Sequence, residues 1–184
     1  MPWLKKDSSE PLTVAMTGIK LGDRVLIVGA SDTALIAALG IKAGLTGRTC
    51  IADSSEREVA HAAAVVEREG ALVENAVTPL TTLPYEAGAF DVAILRDVLG
   101  PARADERPAI AAEAERVIRP GGRCLVIETS AKAGFGGLVS RPINPDFHAG
   151  GGASPLLTHA GFAGVRTLAE RSGLTFTEGV KRNG

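Results

Sequence analysis

The stretch from Arg24 to Leu39, RVLIVGASDTALIAAL, sets an unbroken apolar run (Val25 to Val28) before Gly29, with an Ala/Leu/Ile-rich segment starting at Thr33. Such a run suits a strand buried on both faces, and a glycine at its end permits a tight turn into a helix. In an open parallel α/β sheet this first strand-to-helix turn faces the crevice beyond the carboxyl ends of the strands, where ligands bind.

The pattern repeats downstream. Lys20-Leu21-Gly22-Asp23 signals a turn, and the first helix of the repeat runs from Thr33 to Ala43, with Asp32, Thr33 or Ser31 able to cap it and Gly44 near its end. Arg48 to Ala52 reads as a second strand ending in Asp53, Ser55 to Glu69 as a helix closed by Gly70, and Leu72 to Val77 as a third strand. Ala89-Phe90-Asp91 leads into a strand over Val92 to Arg96. A helix follows over Asp105 to Ile118, with Pro108 tolerated in its first turn and Arg119-Pro120-Gly121-Gly122 ending it. Arg123 to Glu128 is a fifth buried strand, and Thr129 to Gly152 is rich in glycine and proline, with no helical or strand period. Ser154 to Ala160 is a short helix closed by Gly161, after which Gly164 to Glu170 and Leu174 to Gly179 form a hairpin through Ser172-Gly173. Alternating βα units with a closing hairpin imply an α/β fold whose sheet is mostly parallel, with one antiparallel strand.

Upstream, Met1 to Pro11 is polar and proline-marked. It predicts a loose arm whose Trp3 and Leu4 dock on the body or on a partner subunit, the arrangement a homodimer would use. Leu12 to Ile19 is a short helix closed by Gly18, so residues 1–19 form an arm and helix ahead of a single domain over 20–184. With 45% hydrophobic residues over 184, that domain is large enough to bury a proper core.

A formal net charge of −1 gives no basic stripe for nucleic acid or an anionic membrane surface. No segment approaches the roughly 20 apolar residues of a membrane span, and no signal-peptide pattern follows the first charges, so the expected location is cytoplasmic. Cys50 and Cys124 fall in predicted buried strands without metal-ligand spacing, which reads as core thiols and no metal site.

The order of elements and five short motifs together resemble the class I S-adenosylmethionine-dependent methyltransferases, particularly the ubiquinone/menaquinone methyltransferase group. The motifs are LGDRVLIVGAS (Leu21 to Ser31), IADSS (Ile51 to Ser55), LPYEAGAFDVAIL (Leu83 to Leu95), ERVIRPGGRCLVIE (Glu115 to Glu128) and HAGF (His159 to Phe162). The resemblance covers roughly Lys20 to Lys181 and implies a Rossmann-like, doubly wound, seven-stranded sheet whose last strand is antiparallel. It also implies S-adenosylmethionine as cofactor and a small-molecule substrate.

Cofactor-binding positions carried over from the family are Gly29, Ala30 and Ser31 in the first turn, Asp53 and Ser54 after the second strand, Leu80 after the third and Arg96 after the fourth. Asp53 matches the acid that accepts the two ribose hydroxyls; the alternative is an N-terminal cap for the next helix. Ile27 stands where the family has an acid, Ala30 and Ser31 occupy a turn where further glycines are usual, and Pro79 replaces the acid that reads the adenine amine, leaving backbone groups near Thr78 and Leu80 for that task. Arg96 and Asp97 end the fourth strand, where the resemblance puts cofactor and substrate; a mutual surface ion pair is the other reading. His148, with Arg141 and Asp146 in the long loop, is a candidate general base beside Asp97, or else a solvated side chain. Methyl transfer to an O, N or activated C acceptor is one expectation. A catalytically inactive binding module or partner subunit is the other, and a nucleotide-dependent oxidoreductase is disfavoured because neither GxGxxG nor a P-loop occurs at the first turn.

Overall fold

A computed structural model describes residues 11–133 and 140–183. Trp3 and Leu4 of the expected arm lie outside the described residues. The described chain runs α1 (Leu12–Thr17), β1 (Arg24–Val28), α2 (Thr33–Ala43), β2 (Arg48–Asp53), α3 (Glu56–Arg68), β3 (Glu74–Val77), β4 (Phe90–Arg96), α4 (Arg107–Val117) and β5 (Ile118–Thr129). It continues through β6 (Ala131–Ala133), β7 (Ser140–Pro142), α5 (Pro145–Ala149), α6 (Ala153–His159), β8 (Ala163–Arg171) and β9 (Leu174–Val180).

Seven strands form one sheet in the order β3-β2-β1-β4-β5-β9-β8. The first five are parallel, and β9 runs antiparallel between β5 and β8. This is the mostly parallel, doubly wound sheet with an antiparallel last strand that the sequence implies. Successive residues of β1 point to opposite faces, as the period of a strand demands. Val25 and Ile27 pack into a core shared with α1, α2 and α3, and Leu26 and Val28 into a second core shared with α4 and α6. Chain order reverses at β1, with β2 on one side and β4 on the other, which opens a crevice at their carboxyl ends.

The largest differences from the sequence reading lie in three places. The third strand is shorter, because Leu72 is exposed and pairing starts at Glu74. The fifth begins at Ile118, since Ile118 pairs with Phe90 before a bulge and Arg123 with Val92 after it. The segment read as aperiodic contains the β6–β7 hairpin and the one-turn helix α5, elements too short to leave a period in the sequence. Cys50 and Cys124 are buried, and burial pushes their thiols up to about 11 and about 12. Among the described residues no helix is long and apolar enough to cross a membrane.

Asp91 fastens the lower edge of the sheet. It accepts from the Arg24 amide (2.8 Å), Arg24 Nε (3.1 Å) and Arg119 Nε (2.5 Å), joining the starts of β1, β4 and β5. Burial opposes ionisation, but the hydrogen bonds from Arg24 and Arg119 outweigh it and hold the carboxyl far below the usual range. A depressed folded-state pKa contributes stability above the unfolded-state value, near 4, and loses it as the pH falls through the folded-state value. Asp91→Asn should therefore lower the unfolding free energy by about 1–2 kcal/mol at pH 7. Urea titrations should show that gap constant down to about pH 5 and shrinking below about pH 4.

Candidate functional site

The carboxyl ends of β1 to β4 converge on a cleft of about 600 Å³, lined at those ends by Gly29, Asp53, Val77 and Arg96. Sites for small organic ligands span roughly 300–1,000 Å³. One wall is the turn after β3, with Thr78 to Thr81; the opposite wall carries Val98, Pro101, Ala102 and Ile110, so an apolar slot lies between them.

Gly29 adopts φ +95°, and a Cβ there would collide with the Arg96 carbonyl and lie 3.0 Å from Val98 Cγ2. The first turn is thus drawn against the end of β4, and only glycine allows it. Ala30 is buried and does not line the cleft; its amide donates to Asp53 Oδ2 at 2.8 Å. Ser31 is exposed and lines the cleft, as does Ser54. Asp53 is not the helix cap: its Oδ1 accepts from the Ser55 amide at 2.9 Å, while Ser55 caps α3 by accepting from Glu58. Each Asp53 oxygen therefore has one hydrogen-bond partner and retains acceptor capacity toward the cleft. The Leu80 amide, in the facing turn, donates to no group among the described residues. Ile27 is fully buried in the core, so no acid stands at its position.

Arg96 is not a surface residue. Its side chain is 12% exposed; its Nε donates to Asp32 Oδ2 at 3.0 Å and its Nη1 donates to Asp97 Oδ2. The Arg96–Asp97 pair is thus real but is one of two ion pairs that Arg96 makes, the other being with Asp32. Asp32 holds its place by capping α2 through Leu35. The sequence showed Asp32 as a cap; its partnership with Arg96, 64 residues away, depends on β1 pairing with β4. Asp97 sits at φ +50° with its carboxylate further tied to the Thr129 amide (2.6 Å) and hydroxyl (2.8 Å). Its acceptor atoms are committed to holding the ends of β4 and β5 together.

The wall after β4 is clamped from both sides. Glu128 Oε1 accepts from the amides of Val98, Leu99 and Gly100, and the Arg107 guanidinium donates to the carbonyls of Leu99, Gly100 and Ala102. Sequence reading missed both, having taken Glu128 only as the end of a strand. His148, expected over the crevice, does not line it: α5 carries it to a second cavity beside Glu128. Asp146 is exposed on the same helix.

A family model described as "Methyltransferase domain" matches residues 26–126. The chain is 28% identical over 123 residues to the ubiquinone/menaquinone biosynthesis C-methyltransferase of Cupriavidus taiwanensis, covering 64% of this chain and 48% of that protein. It is 33% identical over 143 residues to an uncharacterized protein of Mycobacterium tuberculosis, covering 76% of this chain and 50% of that one. The chain spans about half the length of these curated relatives. A solved structure of a SAM-dependent methyltransferase from Aquifex aeolicus superposes with a TM-score of 0.74 at 18% identity, over 91% of this chain and 87% of the other.

Proposed function

Because the chain belongs to the family of methyltransferase domains, we propose that its cleft holds S-adenosylmethionine, the cofactor the family indicates, and supports methyl transfer to an O, N or activated C centre of a small molecule. The observation that carries this reading is the cleft itself, in which Asp53, the first-turn glycine and an apolar slot meet at the reversal point of the sheet. Its lining acids Asp53, Asp97 and Glu106 face a single lining cation, Arg96, and that bias suits a ligand of net positive charge.

In this reading Asp53 takes the ribose hydroxyls with its remaining acceptor capacity, Leu80 presents its amide to the adenine edge, and Val98 and Ile110 flank the ring. Gly29 lets the backbone lie close, while Ser31 and Ser54 offer hydroxyls to polar parts of the ligand. The bound cofactor supplies a methyl group on a sulfonium, electrophilic without acid assistance. The protein's contribution is then placement, worth up to about 7–11 kcal/mol of a barrier for well-aligned reactants. Asp97 and Thr129 fix the β4 end, and Arg107 and Glu128 fix the wall beyond it, so the acceptor meets a rigid surface. Asp97 serves as a positioning residue rather than a proton acceptor.

The test is formation of S-adenosylhomocysteine by the full chain with phenol, amine and enolisable quinol acceptors. Turnover above the protein-free rate with at least one class supports the reading. Cofactor binding without turnover on any class would favour the inactive binding module, which Ile27 and Pro79 in place of family acids would suit.

A further inference from the structure

We propose that the second cavity, floored by Glu128, is a binding site for a small organic cation bearing an ammonium or guanidinium group, separate from the cofactor cleft. The cavity has a volume of about 230 Å³ and lies between β5, β8, β9 and the α5–α6 segment. Glu128 is 3% exposed and lines this space; its Oε2 is buried without a hydrogen-bond partner, on the side of Gly100 and the Asn144 amide, although Oε1 accepts from three amides. Among the described residues Glu128 has no ion-pair partner, and burying a carboxylate without a counter-charge is costly.

The other groups facing the cavity share its character. His148 Nε2 is buried and unpartnered, and Thr175 and Thr177 line the same space. Glu170 stands exposed among the lining residues, which include no lysine or arginine. Arg107, the nearby cation, is spent on backbone carbonyls and on the face of Phe147, 5.1 Å from its ring centre. The Glu128 carboxylate and the threonine oxygens can each accept a hydrogen bond, so the matching ligand is donor-rich and positive. The described residues contain no three-ligand group suited to a metal ion, which directs the proposal to an organic cation.

Burial raises the Glu128 carboxyl to about 7, the amides of Gly100, Leu99 and Val98 opposing that rise and the charge of Asp97 adding to it. A cation binding only the ionised form gains affinity as the pH rises through that value. The other charged or titratable groups near Glu128 are Asp97, His148, Glu170 and Arg107.

The test titrates methylguanidinium into the full chain and follows the amide resonances of Val98, Leu99 and Gly100, whose donors end on Glu128. Saturable shifts at pH 8 are expected, with affinity about tenfold weaker at pH 6, the ratio of ionised fractions about a pKa of 7. Glu128→Gln keeps an oxygen for the three amides and should weaken binding at least tenfold and remove the pH dependence. Thr177→Val, which leaves Glu128 untouched, should weaken it several-fold. Absence of saturable shifts, equal affinity for methylurea or acetate, or unchanged binding in Glu128→Gln would each overturn the proposal. No cofactor enters the measurement, so its outcome is independent of the methyl-transfer reading.

Discussion

Gly29→Ala is expected to lower the thermal unfolding midpoint by about 6–12 °C, the shift that about 3 kcal/mol produces in a domain of this size. Two effects combine. The position has φ +95°, where an L side chain is strained, and the added methyl meets a backbone carbonyl, that of Arg96, which has no rotamer to escape through. Val98 Cγ2, 3.0 Å from the new carbon, must also give way, on a residue whose amide is held by Glu128 Oε1. Relaxation would push β1 and β4 apart at their carboxyl ends, which is where the cleft lies, so affinity for S-adenosylmethionine should fall together with the melting point. A midpoint within about 2 °C of the parent, by calorimetry, would show that the turn has more freedom than this geometry allows.

Asp53→Ala is expected to weaken binding of S-adenosylmethionine at least tenfold, equivalent to about 1.4 kcal/mol. Hydrogen bonds to a charged acceptor are worth about 1.5–3 kcal/mol each, and this carboxylate is placed to accept two from a ribose. The substitution also strands the Ala30 amide, which is buried at the turn and bonded to Asp53 Oδ2. Asp53→Asn retains one oxygen for that amide and should fall between parent and alanine variant. Isothermal titration reads both; unchanged affinity in Asp53→Ala would remove the residue from the cofactor site.

Much of this fold is legible because its signals are local. The apolar run at Val25 to Val28, the capped start of α2 at Asp32 and the left-handed Gly18 closing α1 each follow from a few adjacent residues. The three-stranded start of the sheet follows from alternation alone. Less could be read from Thr129 to Gly152, because a three-residue strand and a five-residue helix have no period to detect. The candidate site divides the same way. Gly29 and Asp53 are marked by their places at strand ends. The Asp32–Arg96–Asp97 triad and the Glu128 clamp are not, since they join residues far apart in the chain through pairings of β1, β4 and β5. His148 was misplaced for the same reason: a loop's reach over a crevice depends on how its short elements pack, and α5 packs through Phe147 into the core beside α6.

The most direct measurement is isothermal titration of the full chain with S-adenosylmethionine and, separately, with S-adenosylhomocysteine, neither of which requires the acceptor to be known. If the cleft at the ends of β1 to β4 is the cofactor site, both bind in the micromolar range, and the sulfonium compound, carrying the additional positive charge toward Asp53, Asp97 and Glu106, binds at least as tightly. No binding of either at millimolar concentration would contradict the cofactor assignment and leave the cleft without its proposed ligand.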